Sequence, residues 1–125
     1  MRVISGAHKG RRIQAPKNLP VRPTTDRSKE GLFNILQHRL DFKSIQVLDL
    51  FAGTGSISYE FSSRGTGHVS AIDQNRSCVQ YKKKIAIDLE MKITAIQEEC
   101  FHFLEQNSIS YDLIFADPPY NFEID

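Results

Sequence analysis

Asp117-Pro118-Pro119-Tyr120 closes the last apolar run of the sequence. Two prolines fix the chain direction there, and neither offers an N–H. The Asp117 carboxylate and the Pro118 carbonyl then stand as acceptors beside the aromatic face of Tyr120. Acceptors plus a ring suit an exocyclic amino group on a flat base that has been flipped or splayed out. Such a site works by orientation, turning the amine lone pair toward an electrophile, and requires neither metal nor covalent nucleophile. A diproline turn without chemistry is the plain alternative.

A second constellation lies upstream. Val47-Leu48-Asp49-Leu50 is an apolar run carrying one acid, and Phe51-Ala52-Gly53-Thr54-Gly55 follows it. Glycines at a strand-to-helix turn let the backbone approach a ligand closely, and the next helix presents free amides. The dinucleotide fingerprint G-x-G-x-x-G is incomplete, because Ser58 stands at its third position. Asp73 comes about 20 residues after the loop, where a carboxylate can accept both hydroxyls of a ribose; a helix cap is the simpler role. Glu98 and Glu99 follow the next apolar run, either as an acceptor for an adenine amino group or as a charged helix start.

These groups need a scaffold. Ile45–Leu50, Val69–Asp73, Lys92–Gln97 and Asp112–Ala116 read as strands. Helices are expected from the glycine loop to about Arg64, from Arg76 to about Glu90, and from Cys100 to about Gln106. Strands alternating with helices imply parallel pairing and a doubly wound α/β sheet. Ahead of them, Arg2-Val3-Ile4 and Arg12-Ile13-Gln14 flank Gly6 and Gly10 as a small β unit. Pro16, Pro20 and Pro23 mark an irregular linker. Arg22-Pro23-Thr24-Thr25-Asp26-Arg27 opens a helix, with Leu32, Phe33, Ile35, Leu36 and Leu40 as its apolar stripe.

The 125 residues support a single domain, with 40% hydrophobic and 25% charged residues as in ordinary soluble proteins. No apolar run is long enough for a membrane helix, and two cysteines, Cys78 and Cys100, read as small core residues in a reducing, cytoplasmic setting. His8, His38, His68 and His102 lack metal-ligand spacing, so no metal is expected. The net charge of +1 hides a segregation. Residues 1–30 hold eight Lys/Arg against Asp26 and Glu30, an excess of six positive charges. Residues 31–125 hold eight against thirteen acids, an excess of five negative charges. A basic arm on an acidic body suits a partner that carries phosphate. Lys82-Lys83-Lys84 reads as a solvated helix face.

Taken together, the motifs resemble the class I S-adenosylmethionine-dependent methyltransferases. More narrowly, they resemble the bacterial family that methylates the exocyclic N2 of a guanine in 16S ribosomal RNA. The similarity runs through Arg2-Val3-Ile4-Ser5-Gly6, Lys9-Gly10-Arg11, Arg22-Pro23-Thr24-Thr25-Asp26-Arg27, Glu30, Leu32-Phe33-Asn34, Asp49–Gly55, Glu60, Ser63-Arg64-Gly65 and Asp117–Tyr120.

The resemblance implies a Rossmann-like domain with a basic N-terminal extension over residues 1–30. Residues 31–125 then form the cofactor-binding and catalytic-loop part. It places S-adenosylmethionine against Thr24, Thr25, Asp49, Phe51, Ala52, Gly53, Gly55, Asp73, Glu99 and Cys100. Asp117, Pro118, Pro119 and Tyr120 grip the guanine, and Arg2, Lys9, Arg11, Arg12, Arg22 and Arg27 contact RNA within an assembling small subunit. A cytoplasmic monomer is implied.

Three features depart from the family pattern: Ser58 replaces a usual glycine, tightening the loop slightly, Glu99 replaces a usual Asp, and the family continues for about three more strands. The chain is accordingly expected to stop short after the fourth strand, leaving one flank of that strand unpaired. Two other functions fit the motifs: a DNA adenine-N6 or cytosine-N4 methyltransferase, and a non-catalytic cofactor- or RNA-binding module.

Overall fold

Thr25 accepts a hydrogen bond from the Ser28 amide and so caps helix α1, Asp26–Arg39. The capped orphan amide and the acid in the first turn are what the Thr-Thr-Asp sequence demands. The computed structural model describes residues 1–14 and 25–118. Beyond α1 come strand β1 (Gln46–Asp49), helix α2 (Ser56–Ser63), β2 (His68–Asp73), α3 (Arg76–Asp88), β3 (Ile93–Gln97), α4 (Cys100–Gln106) and β4 (Leu113–Phe115).

The four strands form one parallel sheet in the order β3-β2-β1-β4. Val47 lies opposite Val69 on one side and Leu113 on the other. The order reverses direction after β1, so the crevice between the carboxyl ends of β1 and β4 is the topological switch point, the usual ligand position in such sheets.

Period-two alternation sorts the core onto both faces. Val47 and Val69 pack with Phe33, Phe42, Ile57 and Phe61 beneath α1 and α2. Leu48, Leu50 and Ile72 pack with Cys100 and Phe103 of α4 on the opposite face. Cys100 is therefore a core residue at the start of α4, and both cysteines are free thiols. Burial raises both thiols above their ordinary value.

Two expectations from the sequence need correction. Ile35 is 59% exposed and does not belong to the stripe of α1. The buried face runs through Lys29 and Phe33, one helical turn apart, with Leu32, Leu36 and Leu40 packed beside them. Lys82 is fully buried rather than solvated. The inward face of α3 is Cys78, Val79, Lys82 and Ala86, and helical period places Lys82 on it whatever its charge.

The N-terminal segment is an antiparallel unit in which Arg2 bridges Arg12. Val3 and Ile13 pack against Tyr59, Ala86 and Met91 of the main domain. Glu60 anchors the unit: its carboxylate accepts the Ile4 and Ser5 amides at 2.9 and 3.1 Å, and Arg64 Nε donates to it at 2.7 Å. Lys29 Nζ lies 3.6 Å from the same carboxylate, with both side chains buried. Gly6, at φ +92°, crosses Ser63 so closely that a Cβ there would lie 1.9 Å from the Ser63 carbonyl oxygen.

β4 forms the sheet's outer strand, and among the described residues nothing pairs with its second edge. No described helix is long and apolar enough to cross a membrane.

Candidate active site

Asp49 is the last residue of β1 and shares the face of Val47, so its side chain turns under α2. There Ser58 Oγ donates a hydrogen bond to Asp49 Oδ2 at 2.8 Å. Oδ1 is buried and has no hydrogen-bond partner among the described residues. Burial pushes the Asp49 carboxyl up to about 6; the Ser58 bond and the Lys82 charge oppose that rise, while the Asp73 and Asp117 charges add to it. Ser58, expected from its place in the motif to tighten the glycine loop slightly, turns its hydroxyl to another use. It lies inside α2 and holds the acid of β1.

The loop after β1 is tied to both neighbouring strands. Leu50 N donates to Phe115 O at 3.0 Å, and Ala52 N donates to Ile72 O at 3.0 Å. Gly53 and Gly55 take φ of +54° and +92°, conformations that side chains disfavour. Gly55 precedes α2 without any side-chain cap. Phe51 packs partly buried against the core cluster of α4, and Ala52 is buried.

Asp73 ends β2 beside this loop. Its Oδ2 accepts the Gly53 amide at 2.9 Å and its Oδ1 accepts the Asn75 amide at 2.8 Å. Each oxygen keeps a further lone pair for a hydroxyl donor. Glu99 caps α4, its carboxylate accepting the Phe101 and His102 amides. Glu98, next to it, pairs with His102. Thr25 is exposed and spends its hydroxyl on the cap of α1.

Asp117 and Pro118 follow β4 and are exposed. The structure thus brings together Asp49, Gly53, Gly55, Asp73 and Asp117 at the carboxyl ends of three adjacent strands. Thr24, Arg22, Pro119 and Tyr120 lie outside the described residues. No group of three His, Cys, Asp or Glu among the described residues could hold a metal ion.

Arg2, Lys9, Arg11, Arg12 and Arg27 are exposed. The eight cations of the first 30 residues are not all available to a partner, however. Lys29 is buried, donating to the Arg2 carbonyl at 2.6 Å and to Ser56 Oγ at 3.1 Å beside Glu60. Desolvation lowers its pKa, against the pull of Glu60 and Asp26. Arg2 also lies 4.0 Å from Asp26.

Sequence reading missed Lys82, whose Nζ donates to the Gly53 carbonyl at 2.7 Å. The four-residue steps from Cys78 through Lys82 to Ala86 are the signal that marks it as inward-facing.

The family described as Conserved hypothetical protein 95 matches residues 1–125. The Bacillus subtilis (strain 168) protein YlbH is 37% identical, the match covering 96% of this chain and 67% of that protein. Ribosomal RNA small subunit methyltransferase D of Escherichia coli (strain K12) is 32% identical over 96% of this chain and 60% of its own length. The solved Escherichia coli structure of yhhF superposes with a TM-score of 0.84 at 30% identity, covering 97% of this chain and 65% of that one. The fold is also that of the T. thermophilus 16S rRNA N2 G1207 methyltransferase, solved with AdoMet and guanosine. There the TM-score is 0.67 at 22% identity, covering 82% of this chain and 28% of that one.

Proposed function

The chain belongs to the Conserved hypothetical protein 95 family, and on that premise we propose that it serves S-adenosylmethionine-dependent methyl transfer to the N2 amino group of a guanine in 16S ribosomal RNA. The name of the small-subunit methyltransferase relative supports small-subunit ribosomal RNA as the substrate class. The chain spans 60 to 67% of the length of the two relatives above.

One observation carries the reading: a buried carboxylate oxygen of Asp49, unpartnered among the described residues, belongs to the last residue of β1 and feels two further acids, Asp73 and Asp117. An acceptor kept out of water without a donor costs stability, and a cationic ligand supplies what it lacks. S-adenosylmethionine fits this donor-poor, acid-rich setting, since it carries an ammonium and a sulfonium. When bound it supplies an electrophilic methyl group.

The chain's own residues then bind and orient. Asp49 accepts from the cationic end of the cofactor, and Asp73 uses its remaining lone pairs for the ribose hydroxyls. Asp117 and the Pro118 carbonyl accept the two hydrogens of the guanine amino group, and Tyr120 stacks on the base. Holding the amine in one orientation accounts for much of the rate enhancement. Lys9, Arg11 and Arg12 meet phosphates, a contact that weakens with salt.

The test is methyl incorporation from labelled S-adenosylmethionine into 30S particles lacking the modification. Label at guanine N2, lost in Asp117→Ala, is the expected result. Full incorporation by Asp117→Ala overturns the role given to that acid. Label in duplex DNA instead points to a DNA amino-methyltransferase, and neither label nor calorimetric heat points to a non-catalytic module.

A further inference from the structure

We propose that Lys82 is a positioning residue of the glycine loop, and that its ammonium, by holding the Gly53 carbonyl, sets the affinity of the site for S-adenosylmethionine. The second half of this inference rests on the function proposed above. The first half stands on geometry alone.

The Gly53 residue is gripped through both of its backbone polar groups. Its N–H donates to Asp73 Oδ2 at 2.9 Å, and its carbonyl accepts from Lys82 Nζ at 2.7 Å. One grip comes from the end of β2 and the other from the buried face of α3, so the orientation of the loop is set from two elements at once. The same lysine lies under the next glycine: a Cβ on Gly55 would stand 3.0 Å from Lys82 Cδ and 2.6 Å from the Tyr59 ring. Tyr59 itself is buried, its hydroxyl without a hydrogen-bond partner among the described residues. The loop therefore rests on a floor made of an alkyl chain and an aromatic ring, with the Lys82 ammonium reaching past it to Gly53.

A fully buried lysine is expensive unless its charge is used. Here the charge has a second use. Asp49 and Asp73 both act on it, so the ammonium offsets the repulsion between acids that face a ligand from the same side. Lys82 touches no reacting atom; it acts through Gly53.

Three variants test this: Lys82→Met, which keeps the stem and removes the donor, Lys82→Arg, which keeps a cationic donor, and Lys83→Met as an exposed neighbour. Amide hydrogen exchange reads the loop without any ligand. Lys82→Met is expected to speed exchange at Gly53 and Gly55 at least tenfold relative to core amides of β2, while Lys83→Met leaves them unchanged. Isothermal titration with S-adenosylmethionine reads the site. Lys82→Met is expected to weaken binding at least tenfold, and Lys82→Arg to recover most of it.

Wild-type exchange rates and affinity in a folded Lys82→Met overturn the proposal. If the wild-type chain gives no heat with S-adenosylmethionine, the functional reading fails, and the exchange arm alone decides the grip. Should Lys82→Met not fold, the wild-type Lys82 ammonium resonance decides. Slow proton exchange from a lysine bonded to Gly53 supports the grip, and fast, solvent-like exchange refutes it.

Discussion

Ser58 Oγ donates to Asp49 Oδ2 at 2.8 Å, joining the second residue after the start of α2 to the last residue of β1. This bond favours the ionised carboxylate against the burial that opposes it. Ser58→Ala should therefore move the Asp49 titration above its present value of about 6. A hydrogen bond to a charged group is worth about 1.5–3 kcal/mol, so urea denaturation at pH 7.5 should show a loss of that order. Cofactor affinity measured against pH should shift its midpoint upward in the same variant.

Asp49 itself makes the opposite contribution to most carboxylates. Its folded pKa is raised from 3.8 to about 6, so the native state binds the proton more tightly than the unfolded chain. Between those values stability rises as pH falls, and the full cost of the buried charge is present above pH 6. A rise of that size corresponds to about 3 kcal/mol. Asp49→Asn should be more stable than wild type at pH 7.5 by up to that amount, with the gap closing toward pH 4. Urea midpoints of both proteins across this range check it.

Ligand binding should run the other way. S-adenosylmethionine is proposed to meet the ionised Asp49, so wild-type affinity should fall as pH drops through about 6. Asp49→Asn should bind at least tenfold more weakly at pH 7.5 and lose this pH dependence. Calorimetric titrations at pH 5.5 and 7.5 make the comparison.

Glu60 carries the joint between the basic arm and the main domain. Removing it strands the Ile4 and Ser5 amides and leaves Lys29 buried without its counter-charge. Breaking a buried pair from one side typically costs about 3–5 kcal/mol. Glu60→Ala should lose that much in urea denaturation, and limited trypsin digestion should cut sooner at Arg11 and Arg12.

Gly6→Ala is expected to loosen the same arm by a different route. The new Cβ meets the Ser63 carbonyl and the backbone sits at φ +92°, a left-handed conformation that disfavours side chains. Faster trypsin cleavage at Arg11 and Arg12, with only a small change in the melting of the main domain, is the expected pattern.

The parallel sheet and its helices were legible because apolar period and turn chemistry agree along residues 45–116. The acids at the strand ends were legible for the same reason: once the strands are placed, Asp49, Asp73 and Asp117 must share one side of the sheet. What sequence concealed was the use of polar residues inside. Lys29, Lys82 and Glu60 carry surface identities, yet each occupies a buried helical position fixed by its apolar neighbours. Ser58 reads as a missing glycine in a ligand loop, but its hydroxyl faces a buried acid. Ile35 reads as apolar stripe, and helical phase turns it outward. In each case residue type and position conflicted, and position prevailed because the helix must bury its neighbours.

The pairing of β4 with β1 joins residues far apart in the chain: Asp112 and Gln46, separated by 66 residues, exchange hydrogen bonds. Closing so long a loop costs more chain entropy than the nearer pairings of β1 with β2 and β2 with β3. β4 is also only three residues long and pairs, among the described residues, on one side. Among the described strands it has the shortest ladder, three residue pairs against β1, and it is expected to open first in native-state fluctuations, which faster amide hydrogen exchange in β4 than in β2 would show. The glycine loop and Asp73 are held at the ends of β1 and β2, whereas Asp117 follows β4. On the proposed function, the part of the cleft assigned to the cofactor then stays formed while the part assigned to the base opens.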